Sequence, residues 1–323
     1  MAQFILKRLL VLPFLVFGTA TIVFFATRLL PGDPVNLLLS PAFPPELARN
    51  LRLEFGLDRS LGTQYLLWLR GIVTGNFGSS FSYHRDVLAV IGDALPYTMA
   101  LAFFAIIVEI LGGGAIALVT ARFHGRTIGG MMTILSLLTY TLPTFCVAYI
   151  LLQFLSYRTG MFPSSHIHGV TAAAMSAPAY TIDYLYHLVL PVATLAIPGA
   201  AGIARFLRTS ILDVQSQKFI TVARSMGIGE RRIFYSYVLP NALSPLVTVS
   251  GLELGSLLTG SLITETIFAL PGMGRLIVTA VFSRDYPLIA GCTMAAAFIY
   301  ICVNLGTDIT HRLIDPRRQS QYE

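Results

Sequence analysis

The sequence predicts an all-α polytopic membrane protein with six transmembrane helices, and three observations predict it. The 323 residues are 55% hydrophobic and only 12% charged, against about 25% charged in soluble domains, and the mean hydropathy is +0.71. Six apolar runs, each close to or above the ~20 residues needed to cross a bilayer core, divide the chain. The basic residues gather in alternate connections: Lys7 and Arg8, then Arg122 and Arg126, then Arg205 to Arg232, then Arg312, Arg317 and Arg318. That is the positive-inside pattern, and it puts the N- and C-termini in the cytoplasm.

The same numbers exclude several classes. The net charge is +6, but it resides in short loops of a charge-poor chain, which is membrane topology rather than a nucleic-acid face. Cys146, Cys292 and Cys302 all fall in apolar runs and read as small core hydrophobes, not as a disulfide framework or metal site. Lysine occurs only at Lys7 and Lys218, neither within GxxxxGK[ST], so the chain has no P-loop for ATP.

The elements follow in order. Residues 1–30 form a cytoplasmic N-terminus and a first span, Leu9–Leu30, too long for a signal-peptide core of 7–15 residues. Leu30-Pro31-Gly32-Asp33-Pro34 stops it. Residues 31–96 are the least hydrophobic part and mix both charge signs, as an external segment does. Within it, Pro45–Phe55 and Gln64–Val73 read as short amphipathic helices, and Gly75 to Ser80 as a turn. Residues 97–311 carry five further spans, Tyr97–Thr120, Met131–Leu155, Leu185–Ile203, Val238–Thr264 and Leu288–Ile309. They include a cytoplasmic loop, 205–237, and an external or re-entrant segment, 265–287, whose apolar piece Leu276–Val281 is too short to span. Residues 312–323 are a cytoplasmic tail. Pro143, Pro191, Pro198, Pro240 and Pro245 interrupt or start spans, which favours a kinked bundle around a path.

Lys218–Asn241 is the long basic segment between strongly apolar ones. Ala223 and Gly227 stand four residues apart, on one face of any helix, and form a shallow face that another protein can approach closely. Gly227-Ile228-Gly229 breaks the helix and Leu239-Pro240 opens the next. The expected shape is helix, turn, helix outside the bilayer, a docking element.

Ionisable groups inside spans are functional candidates by default: Glu109, Glu253 and Asp308. Helical spacing puts Glu253 on a face with Ser250, Ser256, Gly260 and Thr264, a polar stripe suited to a wet path. Glu109 precedes Gly112-Gly113-Gly114, where close helix packing explains the glycines. His166 and His168 form a weak metal signal. No nucleophile and base stand at a convincing spacing, so there is no catalytic site here.

The loop resembles the signature loop of bacterial ABC import permeases, E-A-A-x3-G-x9-I-x-L-P. Ala223, Gly227, Leu239 and Pro240 match, while Thr221, Val222 and Tyr237 depart from it. Further stretches resemble the dipeptide/oligopeptide and nickel branch: Leu30 to Pro34; Gly56-Leu57-Asp58 with Gln64-Tyr65; Gly75-Asn76-Phe77-Gly78; Glu265–Phe268; Pro271-Gly272-Met273-Gly274; Arg284-Asp285-Tyr286-Pro287; and Asn304, Asp308 and Asp315-Pro316-Arg317.

The resemblance implies a six-span permease of the ABC type I importer kind. It would sit in a bacterial or archaeal inner membrane, surrounded by lipid, and pair with a second, homologous permease. Two ATPase subunits would hold the ATP and magnesium, this chain holding no cofactor, and an extracytoplasmic solute-binding protein would deliver di- or oligopeptides. The ATPase-coupling residues would be Phe219, Thr221, Ala223, Arg224, Gly227, Glu230, Arg231, Leu239 and Pro240, with Arg224, Arg231 and Arg232 pairing with acidic groups of the ATPase. Ser250, Glu253, Ser256 and Thr264 would line the translocation path. Alternatives are nickel, a metallophore or another solute as cargo, a membrane-embedded enzyme, and a self-powered transporter.

Overall fold

A computed structural model describes residues 2–29, 46, 49, 53 and 58–314. The Leu30 to Pro34 stop, the expected helix 45–55 apart from residues 46, 49 and 53, Gly56-Leu57 and the tail from Asp315 lie outside these residues. Among the described residues regular structure is helical, apart from an isolated antiparallel bridge between Ser79 and Asp86. In chain order the helices are α1 (Ala2–Leu29), α2 (Leu61–Thr74), α3 (Val87–Arg122), α4 (Thr127–Thr141), α5 (Thr144–Leu151), α6 (Ala177–Gln215), α7 (Lys218–Ser225), α8 (Glu230–Ile233), α9 (Leu239–Gly260), α10 (Leu262–Ile267), α11 (Met273–Phe282) and α12 (Tyr286–Ile314).

Among the described residues five stretches are long and apolar enough to cross a membrane: Leu10–Thr27, Val87–Arg122, Ala177–Gln215, Glu230–Ile267 and Tyr286–His311. The expected span Met131–Leu155 is different. It is two helices, α4 and α5 with its continuation to Arg158, bent by 100°. Pro143 is the cause. Its ring forbids the helical conformation at the preceding residue, and Leu142 accordingly stands at φ −70°, ψ 128°. Counting the bent pair as one span gives six.

The chain divides into two compact units. The first comprises residues 1–98 and 271–301. In it α2 lies on α1: Trp68 Nε1 donates to the Ala20 carbonyl at 3.2 Å and the Thr21 and Tyr65 hydroxyls meet at 2.7 Å. Ser60 caps the start of α2 and Gly75, at φ +72°, ends it. A second apolar cluster joins Val87, Ile91 and Ala94 to Met273, Leu276 and Leu288. The polar centre of this unit is Asp285, fully buried. Its Oδ2 accepts from Ser80 Oγ at 2.5 Å and from the Ser82 amide at 2.9 Å, while Oδ1 accepts from the Leu288 amide at 3.1 Å in the first turn of α12.

The second unit comprises residues 99–270 and 302–323. Its axis is α6, 39 residues long, which packs on α4, α5 and α9. The glycine run on α3 does what its composition predicts. A Cβ at Gly113 would stand 2.6 Å from the Ala200 carbonyl oxygen and 2.8 Å from Ile203 Cβ, so only glycine lets the two helices come this close.

Candidate functional site

The basic segment folds as helix, turn, helix, with one difference from expectation. The second helix is no separate piece. α8 continues through a widened π turn, Phe234–Val238, directly into α9. Pro240 accounts for the widening: it has no N–H to close the ordinary bond to the carbonyl four residues back, and a π turn shifts the register by one residue.

Ala223 does not form an external face. It is 5% exposed and packs, with Ile220, into a cluster of Ile203, Leu207, Ile211 and Ile233. Gly227 is exposed and stands beyond the end of α7, at φ +76°. The Ile228 amide donates to the Ala223 carbonyl at 3.2 Å and the Gly227 amide to the Arg224 carbonyl at 3.0 Å. This is the two-bond closure of a helix end on a left-handed residue, with Ile228 folding back on the same cluster. Alanine and glycine at this spacing thus build the turn from inside.

One exposed flank of α7 is apolar. Phe219 is 40% exposed, Val222 50% and, just past the helix, Met226 73%. They stand at i, i+3 and i+7, one stripe. Thr221 beside them is exposed too. Arg224 is already engaged within the chain: its Nε and Nη2 donate to the two Glu230 oxygens at 2.7 and 3.3 Å. The carboxylate's hydrogen bond raises Arg224 above its ordinary pKa. Arg231 and Arg232 are exposed with no partner among the described residues. Leu239 is half-buried and Pro240 exposed.

A second candidate lies inside the same unit. An open cavity of about 170 Å³ is lined by Tyr140, Thr144, Pro198, Gly199, Glu253 and Ser256 and closed by leucines on α6 and α9. The structure separates the residues expected on the polar stripe of the fifth span. Glu253 and Ser256 share this cavity, but Ser250 is not in its lining. Thr264 is buried beyond a break at Ser261, where α9 ends. Glu109 on α3 is fully buried and neither of its carboxylate oxygens has a hydrogen-bond partner. Its carboxyl carbon lies only 2.3 Å from where a Cβ of Gly199 would stand. Tyr140, Thr144 and Gly199 had no sequence signal beyond the nearby prolines Pro143 and Pro198.

His166 and His168 do not converge. His166 Nδ1 meets Ser165 Oγ at 2.9 Å, whereas His168 Nδ1 meets Asp183 Oδ2 at 3.0 Å and its ring stacks on Tyr180.

Comparison with known proteins agrees along the whole chain. Residues 113–320 match the family described as "Binding-protein-dependent transport system inner membrane component", and residues 1–102 match its N-terminal companion family. The chain is 31% identical to "Probable peptide ABC transporter permease protein y4tP" of Sinorhizobium fredii, over 98% of this chain and 99% of that one. It is 31% identical to "Oligopeptide transport system permease protein AppB" of Bacillus subtilis, over 98% and 99%. It is 32% identical to "Probable D,D-dipeptide transport system permease protein DdpB" of Escherichia coli, over 93% and 92%. In fold it is similar to an inward-facing structure of the MetNI methionine ABC transporter, with TM-score 0.53 and 15% identity over 71% of this chain and 97% of that one. The chain belongs to the binding-protein-dependent transport system inner membrane components, as a multi-pass, non-catalytic permease subunit of an ABC importer whose ATP hydrolysis is left to a partner ATPase.

Proposed function

We propose that this chain imports di- or oligopeptides delivered by an extracytoplasmic binding protein, as one of two homologous permeases driven by two ATPase subunits that hold ATP and magnesium. Residues 205–237 face the cytoplasm with both termini, in a bacterial or archaeal inner membrane, and α7 with its turn seats on an ATPase. One observation carries the docking assignment: a helix whose inner face, Ile220 and Ala223, is buried in its own unit keeps an apolar stripe, Phe219, Val222 and Met226, on an exposed flank. Such a stripe on a cytoplasmic element needs a partner surface to cover it. Arg231 and Arg232 beside it supply charge for acidic groups of that partner. The peptide names of full-length relatives support the cargo.

The mechanism is alternating access. ATP-driven closure of the ATPase pair draws the docked segments together, and differential binding to the two arrangements shifts the spans between inward-open and outward-open. Because α8 runs without interruption into α9, a displacement of the turn is transmitted along that span. The test is the double variant Val222→Asp, Met226→Asp. ATPase co-purification and peptide uptake are lost while membrane insertion persists. Retention of both would refute docking through this stripe.

A further inference from the structure

We infer that the cavity between α4, α5, α6 and α9 is a cation subsite on the translocation path, taking the ammonium group of the cargo. The inference rests on the peptide-import reading above, since a peptide's free amino terminus is the group it would hold.

The argument starts from sign and balance. Glu253 lines the cavity, and no hydrogen bond or ion pair joins it to another described residue. Glu109 is fully buried with both oxygens unpartnered, its carboxyl pressed against Gly199 of the cavity wall. Carboxylates in a membrane interior are costly unless something of opposite sign answers them. Arg205 lies 4.6 Å from the centre of the Tyr140 ring and, among the described residues, forms no ion pair with either glutamate.

The rest of the wall fits an ammonium. Ser256 offers an acceptor oxygen, while the Tyr140 ring is already covered by Arg205. The carboxyl end of α4 and the amino end of α5 meet at Tyr140 and Thr144, and their opposite dipoles offset each other. Glu253, the acidic residue of the lining, is left to set the sign. Size sets the scope. About 170 Å³ is below the ~300 Å³ of the smaller whole-ligand pockets, so the cavity holds one charged group rather than a peptide. Gly199 matters because any side chain there would displace Glu109 from the wall.

The test places a thiol in the cavity. Ser256→Cys is made in the full chain with Cys146, Cys292 and Cys302 replaced by Ala, in membranes together with its partner subunits. It is labelled with a cationic trimethylammonium-ethyl methanethiosulfonate and with the anionic sulfonatoethyl reagent, each rate normalised to free 2-mercaptoethanol. The expected cation-over-anion preference is about tenfold, the range that charged clefts produce, falling several-fold with Glu253→Gln and with Glu109→Gln. A normalised preference near one, or a preference that both Gln variants leave unchanged, overturns the subsite. A second arm follows protection against neutral methyl methanethiosulfonate. Trialanine protects, whereas N-acetyl-trialanine and sodium chloride of equal ionic strength do not. Equal protection by either control, or none by trialanine, overturns the cargo assignment. If the wild-type transporter takes up no peptide, the peptide reading fails, and the labelling ratio still reports on the cavity.

Discussion

Ser80 and Asp285 are joined by a buried 2.5 Å hydrogen bond across 205 positions of sequence. The carboxylate that accepts it also holds the Ser82 amide and the first turn of α12. Three donors converge on one acidic side chain, so its loss strands all of them. Asp285→Ala is expected to destabilise the first unit by about 3–5 kcal/mol, since each bond to a charged group contributes ~1.5–3 kcal/mol and buried donors are left unsatisfied. Trp68, the chain's single tryptophan, packs edge-on to Phe77 in this unit. Its fluorescence during thermal unfolding in detergent is the readout, with Ser80→Ala giving a smaller drop in midpoint.

Gly227 sits in the left-handed region, where a side chain costs ~1–2 kcal/mol and asparagine is better tolerated than alanine. Its would-be Cβ meets no atom within 4 Å, so backbone conformation alone is at stake. Gly227→Ala is expected to loosen the turn and lower ATPase association several-fold, with Gly227→Asn nearer wild type. Limited proteolysis at the turn, scored beside co-purification, checks it. Equal behaviour of the two variants would remove the conformational argument.

The glycine run on α3 makes a sharper comparison. A Cβ at Gly112 meets Ala200 Cβ at 3.6 Å, an ordinary contact, whereas at Gly113 it meets the Ala200 carbonyl oxygen at 2.6 Å. Gly112→Ala should therefore be close to neutral. Gly113→Ala should cost about 1–3 kcal/mol, the usual penalty of overpacking. Thermal stability by size-exclusion chromatography of heated samples separates the two.

Arg224 and Glu230 form an exposed bidentate pair, and exposed pairs contribute little to stability. Arg224→Ala should leave folding nearly unchanged. Arg231→Ala with Arg232→Ala should weaken ATPase association, and the loss should shrink as salt is raised, because rim charges are screened. Titrating the co-purified complex with salt decides between these roles.

Most of the architecture was legible because the bilayer fixes the length of its spans: the runs at Leu9, Tyr97, Leu185, Val238 and Leu288 all fall within the long helices found. Pro143 marked the interruption, but a proline does not state the angle, here 100°. The two misplacements of site residues share one cause. Ala223 and Gly227 were put on one face, and Thr264 on the Glu253 face, by extending a helical period past a helix end. α7 is capped at Met226 and α9 at Ser261, and Gly227 and Thr264 lie past those caps, where the period no longer holds. The cavity was illegible for another reason. Its wall is drawn from residues 140–144, 195–199 and 253–257, and no local pattern announces which distant helices meet.

The first unit is discontinuous, residues 1–98 closing only with 271–301, and this imposes an order on biosynthesis. At ribosomal rates of 5–20 residues per second, Asp285 follows Ser80 by roughly 10–40 s. Throughout that interval Ser80, Ser82 and the apolar face of Val87 and Ile91 await groups not yet synthesised. The newborn amino-terminal third is thus a client for whatever shields unfinished membrane segments, and a chain truncated before Asp285 would be recognised as incomplete by that third alone.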